Sequence, residues 1–168
     1  MGIYDGIEKT EELEFELRVE RVVRKVLITP VTLEIRLDAD AFMPTQPFPT
    51  DAAWDLYVLK DIVIPAGSTG AVPTGVYVNI PQGYEGSVLL RSGLGKRGLS
   101  IHTAVYDAGY QGELSSFVHN RGSQPVVFKR GDRVAQFCLR YKIPIEWNLV
   151  DSFASSARGE KGHGSSGR

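Results

Sequence analysis

The chain has one cysteine in 168 residues, Cys138. No intrachain disulfide can staple it, and Cys138 sits in an apolar run, VAQFCL, where burial is the expected role. Nothing in this usage points to an oxidising compartment. Charge of one sign is also missing. Nineteen Lys and Arg against twenty Asp and Glu leave a net charge of −1, which excludes a broad basic field for nucleic acid or an acidic membrane face. Any anion must therefore be held locally. No run approaches the ~20 apolar residues that span a bilayer. The opening MGIYDGIEKTEEL is acidic and lacks an apolar h-region, so it does not read as a secretory signal. These absences predict a cytoplasmic protein with no nucleic-acid and no membrane partner.

What is present is a chain of one-domain length whose 42% hydrophobic and 23% charged residues are ordinary for a globular body with a real core. Periodicity favours strands. In VTLEIRL (31–37), Val31, Leu33, Ile35 and Leu37 alternate with polar residues. Further β-rich runs are LYVL (56–59), AVPTGVYVNI (71–80), GSVLLR (86–91), ELSSFV (113–118), PVVFK (125–129) and RVAQFCLRY (133–141). PAGSTG, PQGYEG, HNRGSQ and KRGD punctuate them as hairpin loops would. The pattern predicts an all-β sandwich, jelly roll or barrel. In ELEFELRVER, Leu13, Phe15, Leu17 and Val19 alternate as a strand does, whereas VVRKVL could begin a helical turn. Residues 1–30 are read as an extension that adds to the sheet. Residues 31–151 form the body, and 152–168, which lose apolar content, form a tail.

Five stretches carry chemistry. In DAAWDLYV, Asp55 interrupts an apolar run, either as a turn or edge carboxylate or as one facing a cation. In LLRSGLGKRGL, Arg91, Ser92 and Gly93 set a guanidinium, a hydroxyl and an exposed N–H side by side. That is a phosphate-sized donor set, or else a surface turn with a capping serine. In IHTAVYDAGYQGELSSF, Asp107 stands among apolar and aromatic neighbours, costly unless paired and suited to act as a base on water. Tyr110 could offer a flat face to a sugar or base, and DAGY also reads as a β-turn. In KRGDRVAQF, RGDR is a turn and Gln136 breaks an apolar strand, so it needs a backbone partner or a ligand. The tail RGEKGHGSSGR, with Arg158, His163, Gly164, Ser165 and Ser166, has no apolar anchor, yet its residues are those that wrap a polyanion.

In this order, AAWDL, RSGLG, VYDAGYQGE, GDRVAQ and RGEKGHGSSG resemble the five motifs of the trimeric dUTPase family, over about residues 31–168. The resemblance implies a distorted jelly-roll subunit in a homotrimer, with active sites at subunit interfaces, that hydrolyses dUTP to dUMP and diphosphate with Mg²⁺. By position it implies Asp107 as the base for the water that attacks the α-phosphate. Arg91, Ser92, Gly93 and Gln136 would contact phosphates, and Asp55 would meet the metal through water. A hairpin from about Ile101 to Asp107, including Val105 and Tyr106, would read uracil through its backbone. Tyr110 would pack under deoxyribose. The tail would fold over the nucleotide with Arg158 and Ser165 or Ser166 on the phosphates. Two positions depart from the pattern: His163 stands where such tails carry a stacking phenylalanine, and Lys161 where glycine is common. The dCTP deaminases share this layout, but their proton-shuttling glutamate would fall on Phe117, which cannot move protons.

Overall fold

Short apolar runs ended by glycine and proline bury side chains only by pairing and stacking, and the computed structural model does this with antiparallel sheets. It describes residues 13–18, 30–156 and 159. Among these the strands are β1 (Glu34–Leu37), β2 (Trp54–Tyr57), β3 (Ile62–Ile64), β4 (Thr69–Val72), β5 (Val76–Asn79), β6 (Tyr84–Leu90), β7 (Leu99–His102), β8 (Ala104–Tyr106), β9 (Ser116–Asn120), β10 (Val126–Phe128) and β11 (Arg133–Tyr141). Helix α1 spans 13–18 and α2 spans Ser92–Gly95. One sheet runs β2-β11-β6-β8 and another β4-β9-β7, with two-stranded pairs β1-β5 and β10-β3. The all-β expectation holds.

No described pair joins strands consecutive in the chain. The expected hairpin loops are therefore crossings from one sheet to another, as in a jelly roll. Turn residues dictate that the chain reverses; they do not choose the partner. AVPTGVYVNI likewise becomes two strands, β4 and β5, broken after Val72 at Pro73, which has no N–H to give a ladder. Side chains such as Leu56, Ile64, Val88, Leu114, Val118 and Phe128, almost wholly removed from water, make the core between the sheets. Each contributes roughly 1.5–3 kcal/mol of burial.

The N-terminal expectation is corrected. Residues 13–18 are helical and lie in none of the sheets. Glu, Leu and Arg are good helix formers, and Glu14 stands four residues before Arg18, a favourable helical spacing. Six residues of alternation do not outweigh this without a partner strand. VVRKVL lies outside the described residues.

Candidate active site

The four-stranded sheet carries a row of side chains across its outer face. Gln136 on β11 pairs with Asp55 on β2 and with Leu89 on β6, so all three point the same way, and Arg91, two residues past Leu89, joins them. Asp55 is only 2% exposed. A carboxylate so buried requires donors, and it has three. Oδ1 accepts from Gln136 Nε2 at 3.1 Å and forms an ion pair with Arg91 Nε at 3.0 Å, while Oδ2 accepts from Arg133 at 3.2 Å. The cations that Asp55 faces are thus guanidinium groups.

Arg133 is the residue that sequence reasoning missed. Three positions before Gln136, it should point to the opposite face of a regular strand. A register shift between Arg133 and Ala135 sets it opposite Tyr57, on the face of Asp55. The signals in the sequence were its place as the last residue of RGDR and within the quoted GDRVAQ stretch. Asp55, Arg91, Arg133 and Gln136 line a cavity of about 400 Å³ whose other wall includes Pro47 and Phe48. Ser92 and Gly93 follow, exposed, as the first residues of α2, and Arg91 holds the cap position with no side-chain cap. The capping-serine reading is therefore not seen. Guanidinium, amide and unpaired first-turn N–H groups are donors of the kind that can hold an anion.

Asp107 lies elsewhere. The segment Ile101–Asp107 is not the hairpin that was expected: β7 pairs with β9 and β8 with β6, and the chain changes sheets at Thr103. Ile101 is half-buried and Val105 is exposed. Tyr106 points into the core and donates its hydroxyl to the Ser115 carbonyl at 3.2 Å, so it can offer a ligand only its backbone. Asp107, the next residue, alternates outward and is exposed. The expected apolar surroundings of its carboxylate are absent within one chain, because its aromatic neighbours face the other way. The expected β-turn is present, closed by Tyr110 N–H donating to the Asp107 carbonyl at 3.0 Å. Backbone bonds from Gly109 N–H to Ile80 (2.7 Å) and from Leu114 N–H to Val76 (2.7 Å) sew this loop to β5. The half-buried Tyr110 ring packs 4.7 Å from that of Tyr106. Burial, helped by Tyr110 and Glu113 nearby, pushes the Tyr106 phenol up to about 12. Burial also raises Tyr110.

The two halves do not meet. Tyr106 pairs with Gly86, near the start of β6, while Arg91 follows Leu90 at its end. The five intervening steps of strand span about 17 Å. The tail positions Arg158, His163, Gly164, Ser165 and Ser166 lie outside the described residues. Among the described residues no group of three or more His, Cys, Asp or Glu converges to hold a metal. Phe117, on β9 opposite His102, is half exposed. The nearby Glu113 carboxylate is bound to the Thr74 and Gly75 amides.

Known proteins resemble this chain in sequence and in fold. A family model described as dUTPase matches residues 39–167. The chain is 42% identical, over 142 residues, to a deoxyuridine 5'-triphosphate nucleotidohydrolase of Mycobacterium marinum, covering 79% of this chain and 92% of that protein. It is 38% identical to the like-named protein of an Anaeromyxobacter species, covering 83% and 99%. A mutant dUTPase of Staphylococcus bacteriophage 80alpha, solved with dUpNHpp, superposes with a TM-score of 0.76 at 28% identity, over 83% of this chain and 100% of that one. A phage phi11 dUTPase mutant, whose structure is described as revealing coordination of a structural Mg(II) ion, superposes at 0.69 with 27% identity, over 74% and 100%.

Proposed function

The chain belongs to the dUTPase family, and we propose that it hydrolyses dUTP to dUMP and diphosphate at sites assembled between the subunits of a homotrimer. The separation of the anion-binding cluster from Asp107 carries the assembly. One chain holds both halves of a hydrolytic site, about 17 Å apart along β6, so a working site needs the cluster of one copy against the loop of another. An exposed arm supports this: Ile143, Ile145, Trp147 and Leu149 alternate, and each is at least 70% exposed. That is apolar surface a lone subunit would leave in water.

In the assembled site the Asp107 carboxylate accepts a proton from a water that attacks the α-phosphorus. The bond from that phosphorus to the oxygen bridging the β-phosphate breaks, and diphosphate leaves. Arg91, with Nε held by Asp55, directs its remaining donors toward phosphate oxygens, joined by Ser92, the Gly93 N–H and Gln136. Backbone groups of Ile101, Val105 and Tyr106 face the uracil edge. The Tyr110 ring lies under the deoxyribose where a 2′-hydroxyl would need room. The tail, 152–168, closes over the 31–151 body, bringing Arg158, Ser165 and Ser166 to the phosphates and Gly164 close to them, with His163 against the base.

The residues present fit Mg²⁺ as a loosely protein-bound ion. A carboxylate offers about four lone-pair positions, and three of those on Asp55 already face nitrogen donors. With one position left and two guanidinium groups against it, Asp55 would meet the ion through a water, and triphosphate oxygens would hold it. Bound so, the ion neutralises charge on the triphosphate. Deamination of dCTP finds no support, since Phe117 cannot move protons and the relatives above are dUTPases. No helix among the described residues could cross a membrane, and a cytoplasmic location suits a nucleotide-pool enzyme.

The test is an assay of the purified chain with Mg²⁺ against dUTP, dCTP and dTTP, reading diphosphate and base identity separately, beside a mass measurement in solution. Rapid diphosphate release from dUTP by a trimer is expected. A monomer with full activity would refute the shared site.

A further inference from the structure

We propose that Glu113 is a positioning residue for this hydrolysis: its carboxylate, seated on two backbone amides, sets where the Asp107 loop stands. The inference rests on the reaction assigned above. Glu113 Oε1 accepts the N–H of Thr74 at 2.8 Å and of Gly75 at 2.9 Å. Consecutive amides converging on one oxygen form a nest that prefers an anion to a neutral acceptor. The nest is rigid. Gly75 has φ +67°, and a Cβ there would stand 2.9 Å from that of Ala41, so only glycine fits. The fully buried Thr74 also donates its hydroxyl to the Leu114 carbonyl at 3.0 Å, fastening the chain on the far side of Glu113.

From this anchor a short relay reaches the base. The Glu113 carbonyl accepts the Tyr110 hydroxyl at 3.0 Å, and Tyr110 N–H donates to the Asp107 carbonyl at 3.0 Å. Within one chain Asp107 is exposed, so side-chain packing there does little to place it, and the backbone of the loop must do so before assembly. A displacement of order 1 Å at a catalytic group costs about 10²-fold in rate. Glu113 therefore acts on turnover without touching substrate.

The test compares Glu113→Ala, Glu113→Gln and Glu113→Asp with the parent chain. It reads steady-state dUTP hydrolysis, affinity for a non-hydrolysable imido analogue of dUTP, and hydrogen exchange at the Thr74 and Gly75 amides. In the alanine variant kcat should fall about 10²-fold, with a much smaller loss of analogue affinity from the shift of Tyr110 and both amides exchanging faster. Glutamine, whose amide oxygen can accept both N–H groups, should restore most of the rate and the protection. Aspartate, one methylene short, should restore neither. Unchanged kcat in the alanine variant overturns the proposal, as does a kcat loss matched by an equal loss of analogue affinity or unaccompanied by faster exchange. If the alanine variant fails to fold, glutamine against aspartate decides, and equal rates for those two overturn it. A parent chain that does not hydrolyse dUTP would defeat the assigned reaction, while the exchange arm would still decide whether Glu113 holds the loop.

Discussion

The anion-binding cluster and the Asp107 loop grow from the same sheet, yet they are held by opposite means. In the cluster a buried carboxylate, Asp55, gathers two guanidinium groups and an amide through side chains. In the loop the side chain of interest is exposed and the backbone is fixed, by ladder bonds to β5 and by Glu113 on its amides. The difference shows what each half must do. Phosphate donors gain from being aligned before ligand arrives, since orienting them during reaction would cost activation energy. Asp107, as the proposed base, needs a dry, shaped surrounding, which the proposed second copy would supply.

The comparison breaks most severely at Asp107. Asp107→Asn should lower turnover by about 10²–10⁴-fold or more while the nucleotide analogue still binds; steady-state rates beside calorimetric titration check this. Asp55→Asn should do the reverse, weakening analogue binding by about tenfold and destabilising the subunit by about 2 kcal/mol, because two guanidinium groups lose their charged acceptor. Denaturant unfolding and titration measure the two effects. Gly112→Ala sharpens the loop side: a Cβ there would stand 2.4 Å from the Tyr110 hydroxyl. The ring must shift, at about 1–3 kcal/mol, and near-UV circular dichroism should report it. Tyr106→Phe is the mildest, costing about 1 kcal/mol for the lost bond to Ser115. Its sign with pH is definite. A phenol raised from 10.0 to about 12 in the folded state gives full stability below pH 10, lost as pH climbs toward 12. The phenylalanine variant should show a flatter alkaline limb in thermal melts.

Much of this was legible locally. RVAQFCLRY became β11 residue for residue, because alternation and bounding turn chemistry act within a few positions. The cluster members Asp55, Arg91 and Gln136 were singled out because each sets a polar group against an apolar run. Arg133 was not, since its facing depends on a bulge that only its partner strand defines. The strand expected near Leu13 failed for the same kind of reason: alternation proposes a strand, and a neighbour has to accept it.

The order of residues alone determined the chemical kinds available: a carboxylate after an apolar strand, a guanidinium beside a hydroxyl and a glycine, and short β runs with no disulfide to tie them. Side-chain type and near-neighbour spacing are written directly in the chain. The tertiary structure decided which strands lie side by side, that two guanidinium groups and an amide share one buried carboxylate, and that Asp107 stands at the far end of β6 from them. Those are long-range pairings, chosen by how the whole set of apolar faces can be buried at once, and no single segment contains that choice.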